Sequence, residues 1–227
     1  MTERIDDIGG GLQLIQREGL FALGTDAVLL SKFASLYAND RVIDLGTGTG
    51  SIPLLLTLRK KLRYIAALEL QPELAELCRR SVELNKLDHL IEVVVGDIRN
   101  VSRLFPAESF DLAICNPPYM PVTGSQINAR QPVAIARHEL CCQLEDVINA
   151  FAWLVRFGGK AALVHRPQRL GDIFCLMRAY DLEPKCLQFV YPRPGQEANI
   201  VLVEGEKGAK PGIRTLPPMT LWGDDND

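Results

Sequence analysis

The sequence has no stretch able to cross a bilayer. Apolar runs such as Ile200–Val203 fall far short of the roughly 20 residues that a spanning helix needs. Its first residues, Met1 to Asp7, carry acids where a secretory leader would have a basic end and an apolar middle, so the chain reads as cytoplasmic. The six cysteines (Cys78, Cys115, Cys141, Cys142, Cys175 and Cys186) form no Cys-x-x-Cys pair and no Cys/His metal spacing. They read as reduced, buried thiols, and no metal is expected. Nor is there a basic excess: 25 Lys and Arg against 28 Asp and Glu give a net charge of −3. A nucleic-acid partner would have to be met by local patches rather than a basic arm. Repeats and low-complexity linkers are absent. What is there is a 227-residue chain, 47% hydrophobic with 18 Gly and 14 Pro, of ordinary globular composition. One domain of this size buries roughly 70% of its unfolded surface and needs no staples.

From Arg41 onward, apolar strand-like runs alternate with amphipathic helical stretches. Arg41–Leu45, Tyr64–Leu70, Ile91–Val95, Phe110–Cys115 and Lys160–His165 read as strands. Ile52–Leu58, Pro72–Asn85, Val147–Val155 (ending at Gly158-Gly159) and Leu170–Tyr180 read as helices. Nearly all-apolar strands in this alternation predict an α/β fold: a doubly wound, mostly parallel sheet covered on both faces. Cys186–Tyr191 and Asn199–Glu204 are joined by too few residues for a crossover and should form an antiparallel hairpin. Residues 41–205 are thus expected to form the main domain. Residues 1–40 form an extension with a helix from about Asp26 to Tyr37, capped by Thr25 or Asp26. Residues 206–227 are expected as a loose tail.

The chemistry gathers at successive strand ends. The first strand runs into Asp44-Leu45-Gly46-Thr47-Gly48-Thr49-Gly50. In a doubly wound sheet a ligand binds outside the carboxyl ends of the strands, and glycines let the backbone approach it. A dinucleotide loop would put its third glycine at position 51, which is Ser51. Glu69, ending the second strand, can accept hydrogen bonds from both hydroxyls of a ribose. Asp97 follows the third strand and could take an amino group. The fourth strand ends in Asn116-Pro117-Pro118-Tyr119. The two prolines remove two N–H donors, leaving carbonyls that can only accept. Together with the Asn116 amide oxygen they could hold the two hydrogens of an sp² amino group, favouring a pyramidal, methyl-accepting nitrogen. Tyr119 offers a face on which a flat substrate can stack.

This pattern resembles class I S-adenosylmethionine-dependent methyltransferases, in their amino-methylating branch. The flanking segments Gly19–Leu30, Ala136–Glu139, Leu163–Pro167 and Pro192–Asn199 resemble the tRNA1(Val) (adenine-37-N6)-methyltransferase family, most of all its shorter, Gram-positive-type members. The resemblance implies a seven-stranded Rossmann-like sheet completed by the last hairpin, with S-adenosylmethionine as cofactor. It implies cofactor contacts from Asp44, Gly46, Thr47, Gly48 and Gly50, from Glu69 and Leu70, from Asp97 and Ile98, and from Asn116. The Phe21–Asp26 segment would lie over the methionine end, with Thr25 and Asp26 as cofactor contacts. Asn116, Pro117, Pro118 and Tyr119 would be catalytic. The implied reaction is methyl transfer to the N6 amino group of an adenine beside the anticodon of a tRNA, the only partner the sequence points to.

Other readings share parts of the pattern. A protein-glutamine N5-methyltransferase uses the same Asn-Pro-Pro-Tyr turn but carries a helical domain first, and only about 40 residues precede Arg41. Guanine-N2 methylation of rRNA, adenine methylation of DNA and an idle cofactor-binding module complete the alternatives. Arg130 and the Arg137-His138-Glu139 run follow the catalytic turn, where they either meet substrate or order the loop. His165 and Arg166 end the fifth strand and carry the same two readings. Arg193, in the hairpin loop, could meet a phosphate. Arg59, Lys60, Lys61 and Arg63 lie at the opposite end and read as a solvated patch, and His89 as structural.

Overall fold

The computed structural model describes residues 2–17, 23–117 and 143–222. It opens with an antiparallel hairpin that the sequence patterning did not suggest, β1 (Glu3–Asp7) and β2 (Gln13–Arg17), paired from Glu3↔Arg17 to Asp7↔Gln13. Gly9, Gly10 and Gly11 all take positive φ in its turn, a conformation glycine reaches without penalty. Helix α1 (Thr25–Phe33) is shorter than expected and is capped by Gly24, with no side-chain cap from Thr25 or Asp26. It stops because the chain is captured elsewhere. The buried Glu204 carboxylate accepts Ser35 N–H at 2.6 Å and Ser35 Oγ–H at 2.7 Å. Arg59, expected in a solvated patch, instead donates to the carbonyls of Ser31 and Ala34 at the end of α1. Lys60, Lys61 and Arg63 are exposed as expected, and His89, read as structural, is exposed as well.

The rest alternates as β3 (Arg41–Leu45), α2 (Ser51–Thr57), β4 (Tyr64–Glu69), α3 (Pro72–Leu84), β5 (Ile91–Val95), α4 (Val101–Leu104) and β6 (Phe110–Cys115). Then come α5 (Leu144–Leu154), β7 (Val155–His165), α6 (Leu170–Ala179), β8 (Leu182–Tyr191) and β9 (Ile200–Lys207). These seven long strands form one sheet in the order β5-β4-β3-β6-β7-β9-β8. All are parallel except β9, which runs antiparallel to both neighbours. The strand order reverses between β3 and β6, the switch point at which doubly wound sheets bind ligands.

Successive side chains along each strand enter opposite cores. Val42, Ala67, Ile114, Ala162 and Leu202 pack under α1, α2 and α3 with Leu30, Leu54 and Cys78. Ile43, Leu45, Leu68, Ala113 and Leu163 face α5 and α6, against Val147, Phe151 and Met177. Burying each large side chain contributes about 1.5–3 kcal/mol. Both faces are covered, which is why these strands are apolar throughout rather than alternating.

Two differences come from the sheet edge and a bulge. β7 begins at Val155, directly after α5, and runs through the Gly158-Gly159 pair expected to end the helix. The β6–β7 register shifts between Phe110 and Leu112, and a Cβ on Gly159 would stand 2.9 Å from the Asp111 carbonyl. The segment from 206 onward, expected to be loose, continues β9 to Lys207 and then lies along β8. There Arg214–Thr215 (β10) and Met219–Thr220 (β11) add two-residue parallel strands. Met219 and Leu221 pack on the core, and the backbone covers an edge that would otherwise present unpaired groups.

Cys78, Cys115 and Cys186 are buried free thiols, and Cys175 is a free thiol on the surface. Cys141 and Cys142 lie outside the described residues. Among the described residues no His/Cys/Asp/Glu group could hold a metal, and no helix is long and apolar enough to cross a membrane.

Candidate active site

Three polar side chains leave the sheet on one face at the switch point. Asp44 pairs in register with Ala67 and Ile114, all on the α1–α3 side. Two residues further along their strands, on that same face, stand Glu69 and Asn116.

The glycine loop turns back immediately after β3. Gly46 and Thr47 both donate their N–H to the Leu68 carbonyl, at 2.8 and 3.0 Å. Gly46, Gly48 and Gly50 have φ of 74°, 60° and 91°. Their surroundings differ. A Cβ on Gly50 would stand 2.6 Å from Cys78 Sγ, so this glycine serves packing against α3. Around the Cβ positions of Gly46 and Gly48 nothing lies within 4 Å, leaving their backbone accessible to a ligand.

Glu69 is buried and accepts two backbone N–H groups, Gly48 on Oε2 and Gln71 on Oε1, each at 2.9 Å. Asp44 is fully buried, and neither of its carboxylate oxygens has a hydrogen-bond partner. Burial pushes its carboxyl up to about 7; the Thr47 hydroxyl alongside, though outside hydrogen-bond geometry, opposes the rise, and the Glu69 charge adds to it. Thr47 Oγ1 is likewise buried and unpartnered. An unsatisfied buried polar atom costs about 1–3 kcal/mol. Three of them beside an open glycine turn describe a cradle for a polar, cationic group.

Asp97 accepts Arg99 N–H at 2.8 Å and pairs with the Arg99 guanidinium, which holds its carboxyl below the usual range. Ile98 follows it, half-buried, and Leu70 is exposed at the end of β4. Asn116 is half-buried and Pro117 buried. Pro118, Tyr119, Arg130, Arg137 and His138 lie outside the described residues. Thr25 and Asp26 form the first turn of α1, which packs beside α2 on this face. The chain before α1 is placed by Gln16, whose buried amide accepts Leu23 N–H at 2.9 Å and donates to Asp6 at 2.5 Å. No motif marks Gln16 in the sequence.

His165 and Arg166 part company. Val164 joins the α1–α3 core and Leu163 the opposite one, so alternation turns His165 towards the α5–α6 side. Its Nδ1 accepts Arg166 N–H at 2.8 Å, leaving any proton on Nε2. Burial, then the nearby Arg169 charge, pushes the imidazole down to about 4. Arg166 reaches along the rim and donates to the Asn199 carbonyl at 2.9 Å. Arg193 is exposed in the β8–β9 loop on that rim.

A family profile described as "Methyltransferase small domain" matches residues 12–140. The chain is 33% identical over 183 residues to the tRNA1(Val) (adenine(37)-N6)-methyltransferase of Aeromonas salmonicida, covering 80% of this chain and 75% of that protein. It is 31% identical over 188 residues to the protein of the same name from Porphyromonas gingivalis, covering 80% and 73%. A predicted O-methyltransferase from Agrobacterium tumefaciens superposes with a TM-score of 0.70 at 25% identity, over 89% of this chain and 90% of that one. The geranyl diphosphate C-methyltransferase of Streptomyces coelicolor, solved with S-adenosyl-L-homocysteine, superposes with a TM-score of 0.61 at 13% identity, over 80% and 78%, a likeness of fold alone. The names of these two solved structures specify oxygen and carbon as acceptors, so the fold by itself leaves the accepting atom open. The chain belongs to the methyltransferase small domain family and, within it, to the tRNA1(Val) (adenine(37)-N6)-methyltransferases.

Proposed function

We propose that this protein transfers a methyl group from S-adenosylmethionine to the N6 amino group of an adenine in tRNA, next to the anticodon. The observation that carries this reading is the convergence of Asp44, Glu69 and Asn116 on one face at the switch point, with the Asp44 oxygens left unpartnered. S-adenosylmethionine supplies an electrophilic methyl on a sulfonium. The residues suit it: the buried Asp44 carboxylate and Thr47 hydroxyl for its cationic amino-acid end, Glu69 for its ribose, and Leu70 and Ile98 as apolar flanks for its ring. A tRNA substrate supports a cytoplasmic location for the protein.

Catalysis by this chain is mainly positioning and polarisation. The amino nitrogen of adenine is a poor nucleophile because its lone pair is delocalised into the ring. The Asn116 side-chain oxygen and the carbonyls of the Asn-Pro-Pro turn accept its two hydrogens, and Pro117 contributes no competing N–H. Acceptors at this point favour an exocyclic amino group and reject a carbonyl. The nitrogen becomes acidic only once alkylated, so no base need be poised beforehand. A base in an anticodon loop is already single-stranded, which keeps its extrusion into the site inexpensive.

The test offers labelled S-adenosylmethionine to total tRNA, to rRNA and to a peptide release factor, followed by mass spectrometry of the nucleosides. N6-methyladenine in tRNA is expected. Label in the release factor and none in tRNA would replace the reading with glutamine methylation. N2-methylguanine would keep the chemistry and refute the base.

A further inference from the structure

The chain has two tryptophans, and the fold uses them differently. Trp153, on α5, donates its indole N–H to the Phe105 carbonyl at 3.1 Å. Trp222 follows β11 and is 67% exposed, a large ring left in water. Its backbone is nevertheless fixed. Thr220 pairs with Tyr191, Leu221 N–H donates to the Tyr191 carbonyl at 2.9 Å, and Trp222 N–H donates to the Pro192 carbonyl at 3.2 Å. Met219 and Leu221 turn inward onto the α1–α3 core, so strand alternation turns Thr220 and Trp222 into solvent on the α5–α6 side, and an RNA reaching Trp222 from Asn116 has to cross the rim between the two faces.

β11 runs parallel to β8, and β8 runs parallel to β6 and β7. Trp222 therefore stands on the rim that carries Asn116, not at the opposite end. It lies next to Pro192, where the β8–β9 loop begins. Arg193, the next residue, is exposed and makes no ion pair among the described residues. Arg166 joins this loop to the end of β7 through the Asn199 carbonyl, and Glu197 is the loop's carboxylate. Counting β6, β7, β9, β8 and β11, Trp222 is four strand spacings from the Asn116 strand, roughly 19 Å. That span is about five or six stacked nucleotides at ~3.4 Å each. A single nucleoside cannot bridge it, and a nucleic-acid loop can.

We propose that Trp222 is a stacking platform for an unpaired base of the RNA whose adenine is methylated at Asn116, with Arg193 beside it for a neighbouring phosphate. The proposal rests on the tRNA reading given above. An indole held by its backbone binds a base with little ordering cost, and stacking tolerates any base because each has a π-face. A basic side chain one residue from the ring's neighbour supplies the charge that a chain of net −3 lacks in bulk. The chemistry selects single-stranded nucleic acid: in a duplex the base faces are already stacked.

The test uses the full chain in two measurements. In Trp153→Phe protein, Trp222 is the remaining tryptophan, and tRNA is expected to quench its fluorescence with reversal by salt. In otherwise unaltered protein, Trp222→Ala is expected to raise KM for tRNA about tenfold. It should leave S-adenosylmethionine affinity and turnover of a trinucleotide holding the target adenine unchanged, and Trp222→Phe should recover most of the loss. A Trp222→Ala enzyme whose KM for tRNA stays within twofold, or tRNA that leaves Trp222 fluorescence unaltered, overturns the platform while tRNA methylation by the parent stands. An equal loss with the trinucleotide also overturns it, because that substrate is too short to reach Trp222. If the parent methylates no tRNA yet tRNA quenches Trp222, the platform is supported and the methylation reading falls.

Discussion

Glu69 Oε2 accepts the backbone N–H of Gly48 at 2.9 Å, so the carboxylate at the end of β4 holds the glycine loop that follows β3. The partner oxygen accepts Gln71 N–H, fixing the start of α3 as well. One side chain thus shapes the turn on which the cofactor is proposed to rest, in addition to the ribose contact proposed for it.

Glu69→Ala is expected to do two things. Losing the two hydrogen bonds that Gly48 and Gln71 donate to this carboxylate should cost about 2–3 kcal/mol of stability, since bonds to a carboxylate are the strong ones. Calorimetry should show weaker S-adenosylmethionine binding, with Glu69→Gln intermediate because it keeps one acceptor oxygen. Unchanged cofactor affinity in Glu69→Ala would remove Glu69 from the site.

Asp44 sets function against stability. Its folded carboxyl titrates at about 7, above the unfolded value near 4. Between those values the folded chain holds a proton that the unfolded chain has released. Stability from this group is therefore complete below about pH 4 and is lost as pH rises through 7. Asp44→Asn should flatten that dependence and stabilise the ligand-free protein at pH 8, while weakening cofactor binding. Urea midpoints at pH 5 and pH 8 measure the first effect; a parent and variant that differ equally at both pH values would contradict it.

Asn116→Ala should abolish turnover and leave S-adenosylmethionine binding nearly intact. The role proposed for its amide oxygen lies mainly in the transition state, so kcat should fall much more than KM rises. Asn116→Asp should restore activity only in part, because a charge alters the polarisation. A kcat within about threefold of the parent, worth only about 0.7 kcal/mol, would refute the polarising role.

His165 titrates at about 4 in the folded chain, below its unfolded value near 6.5, because it is buried and faces the Arg169 charge. The unfolded chain binds the extra proton first as pH falls, so stability is complete above about 6.5 and declines down to about 4. His165→Gln should reduce this slope in thermal melts between pH 4 and pH 7. It should not shift the pH profile of kcat near neutrality, where His165 is uncharged in the parent. A shift there would put the imidazole in the chemistry.

Much of the candidate site was legible from local spacing. Asp44, the three glycines, Glu69 and Asn116 announce themselves because each answers to a strand end, and strand ends follow from runs of buried residues. The antiparallel β8–β9 pair was legible because its connection is too short for a crossover. What escaped was whatever depends on a distant partner. The β1–β2 hairpin is mostly polar and is recognised by what it meets, Ser81 on α3 and Asn85 at its C-terminal end. β10 and β11 are two residues each and exist only because β8 has an open edge.

The order of apolar runs in the sequence thus determined the strand–helix alternation, the doubly wound class and the identity of the strand-end residues. Burial and periodicity are properties of neighbouring positions. Only the tertiary structure decided direction and company: that Asp44 is buried without a partner, that His165 turns away from Asn116, that Arg59 closes α1, and that Trp222 stands on the rim that carries Asn116. Each depends on which element lies beside which, and for the strand residues Asp44 and His165 a one-residue shift in register would send the side chain to the other face.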